Sequence, residues 1–109
     1  MVIGIYTFEL HLPQARSLKA KRQVMRRLKD RLRARFNVAV AELQDHADLW
    51  QRAAVAVVSV AASRDTLSQL FEAVQRETEQ QVPGHCIDTG MEFIEPADGG
   101  SAGWSEDWE

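Results

Sequence analysis

Residues 38–62, VAVAELQDHADLWQRAAVAVVSVAA, read as two strands, 38–44 and 50–62, joined by the polar loop Asp45-His46-Ala47-Asp48. A connection this short joins neighbours, so the spacing predicts an antiparallel hairpin. A helical pattern lies on each side of it. Upstream, Ser17 is a candidate N-cap for a helix running to about Phe36, with Leu18, Met25, Leu28, Leu32 and Phe36 at helical spacing and Val24 beside them. Asn37 suits a left-handed closing residue. Downstream, Ser63 caps a second helix over 64–81. Its inward stripe is Leu67, Leu70, Phe71, Val74 and Thr78, with Arg64, Asp65, Glu72, Arg76, Glu77 and Glu79 pointing out.

Two further strands complete the chain. Residues 2–12, VIGIYTFELHL, are β-branched, aromatic and partly alternating, and Pro13 stops them. After the Pro83-Gly84 break, residues 86–95, CIDTGMEFIE, read as the last strand. The order β-α-β-β-α-β is the ferredoxin-like arrangement, a four-stranded antiparallel sheet with both helices on one face. Right-handed crossovers put strands one and three in the centre. Residues 1–95 form the one domain expected of a chain of 109 residues. Residues 96–109, rich in Gly and acids with Trp104 and Trp108, have the composition of a flexible acidic tail.

The third strand is apolar on both sides: Ala53, Val55, Val57 and Ala61 share one face, and Ala54, Ala56, Val58 and Val60 the other. A strand with one wet face should alternate. The expectation is a second copy covering the sheet, a homodimer; the alternatives are another partner or simple tolerance of small residues on an open face.

A net charge of −3 conceals a strong asymmetry. Residues 1–35 carry ten Lys and Arg against Glu9 and Asp30, whereas residues 36–109 carry three Arg against fourteen acids. All ten N-terminal cations lie between Arg16 and Arg35. On a helix, Lys19, Arg22, Arg26, Lys29 and Arg33 fall within one arc of about 80°, away from the centre of the apolar face, and make a ridge about 21 Å long. Arg16 precedes it. Arg27 and Arg31 flank the apolar stripe. A one-signed ridge of like charges weakens its own helix, and ordinary surfaces mix signs, so the expectation is an anionic partner. Lys21 and Arg35 fall inside the apolar arc, where long side chains snorkel. Lys21 beside Arg16 also offers an anion pocket at the helix start.

The ordered motifs Glu9-Leu10-His11-Leu12-Pro13, Arg16-Ser17-Leu18-Lys19 with Lys21-Arg22, Arg35-Phe36-Asn37-Val38, Val40-Ala41-Glu42 and Asp48-Leu49-Trp50-Gln51-Arg52-Ala53 resemble the bacterial YlxP-like family. The resemblance covers about residues 1–95. It implies a ferredoxin-like α+β fold and no established activity, and its members' frequent neighbourhood with translation and ribosome-maturation genes implies ribosomal RNA. No role for the Asp45–Ala47 loop or the Trp-containing tail is carried over.

Catalysis finds little support. His11 with Glu9, the Asp45-His46-Asp48 loop and His85-Cys86 lack zinc or hydrolase spacing, and no phosphate loop or nucleophile elbow is present. Cys86 reads as a small buried hydrophobe. Tyr6 and Phe8 share the core face, so the sheet is not an aromatic RNA platform. Trp50 reads as a packing residue opening the third strand, although its edge position also suits an interaction surface. One cysteine, no signal peptide and no apolar run beyond ten residues point to the cytoplasm and away from membranes. The expectation is a non-enzymatic, RNA- or ribosome-associated binder without metal, cofactor or small-molecule substrate, using Arg16, Lys19, Arg22, Arg26, Lys29 and Arg33. The alternative is a dimeric interaction module whose basic helix meets an acidic protein, with no nucleic acid.

Overall fold

The computed structural model describes residues 1–44, 49–82 and 85–96. The Asp45–Asp48 loop, the Pro83-Gly84 break and the tail from 97 onward lie outside the described residues. The elements are β1 (Val2–His11), α1 (Leu18–Arg35), β2 (Ala39–Leu43), β3 (Arg52–Ala61), α2 (Arg64–Gln81) and β4 (His85–Ile94). The four strands form one antiparallel sheet in the order β2-β3-β1-β4, which is the ferredoxin-like topology.

Strict alternation makes β1 a two-faced strand. Val2, Tyr6, Phe8 and Leu10 are buried, while Ile3, Ile5, Thr7 and Glu9 between them stay partly open. Opposite them in the ladder, Ala61, Val57, Val55 and Ala53 of β3 point the same way, with Phe8 facing Val55 and Tyr6 facing Val57. Met25, Leu28 and Leu32 of α1 and Leu67, Phe71 and Val74 of α2 close this layer into one core. Burying each such side chain contributes roughly 1.5–3 kcal/mol. Gly4 allows α2 its close approach: a Cβ there would meet Phe71 Cε2 at 2.8 Å and Leu67 Cδ1 at 3.0 Å.

Both caps are where the sequence puts them. Ser17 accepts from the Ala20 N–H at 3.0 Å and Ser63 from the Thr66 N–H at 3.2 Å. The exit from α1 differs. Phe36 caps the helix in an extended conformation, and Asn37 does not take the left-handed one, because the chain turns straight into β2. Asn37 instead offers its carbonyl to the Ser59 hydroxyl at 2.7 Å. The left-handed residue among those described is Asp88 (φ 51°), at a register shift where β4 bulges against Thr7 and Glu9 of β1. Trp50 lies in the turn before β3 rather than in the strand. Among the described residues, no helix is long and apolar enough to cross a membrane.

Candidate functional site

The cations of the Arg16–Arg35 stretch divide into two sets, and tertiary partners make the division. The inward set is committed to structure. Lys21, only 2% exposed, donates to the Leu49 carbonyl at 2.8 Å and pairs with Glu42 of β2 at 3.3 Å. That pairing overturns both the snorkelling reading and the anion pocket with Arg16, because the ammonium is already held by a carboxylate. On the other flank, Arg31 and Arg35 converge on Glu77 of α2 at 3.0 and 3.2 Å. Glu77 was expected to point outward, yet it is 5% exposed. Two arginines crossing from α1 draw it into the helix–helix seam. Burial opposes its ionisation, but hydrogen bonds from Arg31 and Gln81 and the charges of Arg35 and Arg31 outweigh that and hold its carboxyl below the ordinary range.

The outward set is the ridge. Arg16, Lys19, Arg22 and Arg26 are exposed and Lys29 half-exposed, and none of the five has a carboxylate within 4.0 Å among the described residues. Arg27 is exposed as well, with no ion pair among the described residues. Arg33 departs from the expected arrangement. Its guanidinium donates to the Val40 carbonyl at 3.1 Å and so leans toward β2, although a neutral acceptor leaves its charge uncompensated. α1 is therefore braced on both flanks, by β2 through Lys21 and Arg33 and by α2 through Arg31 and Arg35. The first turn of α1 contains no acid, so the partial positive charge of the helix N-terminus adds to Arg16 and Lys19 instead of being neutralised.

Beside the start of α1 stands Trp50. It is 47% exposed, so it is not the buried packing residue that was the first expectation. It lines two clefts, one with His11, Leu49, Gln51 and Arg52, the other with Pro13, Ala15, Arg16 and Gln51. Arg52 reaches Glu9 at 2.6 Å on the open side of the sheet. The available signal was position: a tryptophan directly after a polar loop, between Arg16 and Arg52, has no partner strand to bury it.

Other candidates recede. The Cys86 thiol is pushed up to about 11 by burial and by the Glu79 carboxylate, so it is a poor nucleophile near neutral pH. Tyr6 and Phe8 are core residues, as expected. Among the described residues, no three His, Cys, Asp or Glu side chains converge as metal ligands.

The chain matches a family model described as "Protein of unknown function (DUF503)" over residues 3–91. An uncharacterised protein of Bacillus subtilis (strain 168), YlxP, is 36% identical over 63 residues, covering 58% of this chain and 67% of its own length. Both accord with the resemblance carried by the Glu9–Pro13 and Asp48–Ala53 motifs. Among solved structures, a de novo designed protein with a ferredoxin fold superposes with a TM-score of 0.50 at 8% identity, covering 93% of this chain and 89% of that one. An antibiotic biosynthesis monooxygenase gives 0.49 at 11%, covering 89% and 99%. Identities this low speak to the fold alone.

Proposed function

The chain belongs to the DUF503 family of proteins of unknown function, and from that premise we propose that it is a non-enzymatic RNA- or ribosome-associated binding protein working in the cytoplasm through the outer face of α1. One observation carries the reading. Among the described residues, the fold supplies carboxylates to the inward cations Lys21, Arg31 and Arg35 and supplies none to Arg16, Lys19, Arg22, Arg26 or Lys29. Eight acids downstream of residue 35 lie among the described residues, and none of them pairs with that row. Leaving a row of like charges open weakens the helix that bears it, and an anionic partner relieves that repulsion.

Phosphate contacts predict a specific signature. Each engaged cation releases condensed counterions, so five engaged cations give a slope of about −3.5 in log affinity against log salt on single-stranded RNA. Arg26→Glu should weaken binding across unrelated RNA sequences and make that slope shallower by about one. The fold should persist, since Arg26 is exposed and makes no ion pair among the described residues. If Arg22→Glu, Arg26→Glu and Lys29→Glu all bind RNA and ribosomal particles like the parent chain, the ridge is a solvated surface and the reading falls. Capture of a partner that survives RNase treatment favours the interaction module with an acidic protein instead.

The second component is a homodimer through the open sheet face. Ile3 and Ile5 of β1, Val58 and Val60 of β3, and Ile87 and Ile94 of β4 lie on the side away from the helices, with Val60, Ile87 and Ile94 among the most exposed large apolar side chains described. Three ten-residue strands and the shorter β2 offer roughly 550 Å² of projected face per copy, from about 3.3 Å per residue and ~4.8 Å between strands. Two copies would then bury on the order of 1,100 Å², near the lower bound for specific interfaces.

A further inference from the structure

Trp50 is exposed because its neighbours are pinned. The Leu49 carbonyl is held at 2.8 Å by the buried ammonium of Lys21, itself paired with Glu42. The Gln51 carbonyl accepts from the Leu12 N–H at 2.8 Å. With the residue on each side tied to the body of the domain, the turn cannot roll the indole inward, although a ring of that size gains more than most side chains from burial. The ring therefore stands ready on a rigid support. Such preorganisation lowers the ordering entropy that binding must overcome.

Its surroundings specify the ligand. The two clefts that it lines measure about 330 and 400 Å³ and open to solvent. Arg16 lines one and has no ion pair among the described residues; Arg52 lines the other. Glu9 occupies one guanidinium nitrogen of Arg52, and a guanidinium carries five donors, so Arg52 keeps hydrogen-bonding capacity. Arg16 also begins the row that Lys19, Arg22 and Arg26 continue along α1. An aromatic face between two cations, at the head of a cationic track, has the composition of a site for an unpaired base and its flanking phosphates. In a duplex the base faces are stacked on one another and closed to such a ring. We propose that Trp50 is a stacking platform for one unpaired nucleobase, with Arg16 and Arg52 taking the adjoining phosphates, so that the ligand of the α1 ridge is single-stranded RNA. This rests on the ridge reading and adds to it the strandedness of the ligand.

The chain has three tryptophans, so full-length protein carrying Trp104→Phe and Trp108→Phe reports on Trp50 alone. It is titrated with oligouridylate and with the same strand annealed to oligoadenylate. The single strand should quench the emission and bind more tightly than the duplex. Trp50→Ala should weaken single-strand binding on the order of tenfold while Trp50→Phe restores most of it, as sequence-tolerant stacking requires. The salt slope should not change in Trp50→Ala, because a neutral ring releases no counterions, whereas Arg26→Glu should change it. Unquenched emission and intact affinity in Trp50→Ala, with Arg26→Glu still impaired, overturn the platform and leave the ridge standing. Failure of the parent chain to bind either oligonucleotide overturns both. Loss in Trp50→Ala of an RNase-resistant protein partner, with RNA affinity unchanged, makes this corner a protein contact and also overturns the platform.

Discussion

The hydroxyl of Tyr6 lies in the core without a hydrogen-bond partner among the described residues. Its ring stacks on Phe71 at 5.5 Å and leans on Phe8 at 5.3 Å. Burial first, then the charges near Cys86 and Glu79, push its pKa far above the ordinary tyrosine value, so the group stays neutral. An unsatisfied buried hydroxyl costs about 1–3 kcal/mol, while the ring contributes by packing. Tyr6→Phe should therefore leave stability unchanged or raise it by up to ~1 kcal/mol, read from chemical denaturation. A clear loss would mean that the hydroxyl has a partner. Residues of this kind are half legible: alternation on β1 places Tyr6 inside, but the fate of a single oxygen depends on what stands opposite it.

At the scale of elements, α1 and α2 are locked through one carboxylate. Glu77 is held ionised below the ordinary range by Arg31, Gln81 and Arg35, so as pH falls the unfolded chain takes up this proton before the folded one. Its contribution is whole above the unfolded value of 4.5 and drains away as pH falls through the lower folded value. Thermal melts of the parent chain and Glu77→Gln should differ most at neutral pH, the parent being the more stable, and should converge in acid below that window. A constant gap across pH would show that the carboxyl's charge is not what joins the helices. The stripe Met25, Leu28 and Leu32 and both serine caps were readable from spacing alone. The inward turn of Glu77 was not, because α2's own periodicity places it on the polar side and the two arginines that reclaim it lie 42 and 46 positions away in the chain.

For the molecule as a whole, the sheet separates two apolar faces that the same strand supplies. Val57 is fully buried beneath the helices; Val58, next in the chain, faces the open side. Val57→Lys should unfold the domain or lower its melting temperature steeply, since it puts an unpaired charge in the core. Val58→Lys should leave the fold intact and convert a dimer to a monomer. Light scattering at tens of micromolar, run on the parent chain beside both variants, reads this directly. A monomeric parent chain would dispose of the dimer. α1, which bears the basic ridge, packs on the other face of the sheet, so a dimer through the open face would leave both copies of α1 outside the interface.

The order of the elements, the two caps, the core stripes and the basic arc were determined by the sequence itself, because each depends on spacing within one strand or helix. Those periods are set by local backbone geometry, whatever the rest of the chain does. Only the tertiary structure decided which cations are neutralised, which way Glu77 turns, how Arg33 leans and whether Trp50 is covered. Lys21 meets Leu49 across 28 residues and Arg31 meets Glu77 across 46, and no local pattern encodes a partner at that distance. A charge or a ring has a meaning in a protein only through what the fold brings against it: among the described residues no carboxylate comes within 4.0 Å of Arg16, Lys19, Arg22, Arg26 or Lys29, and Trp50 is left 47% exposed.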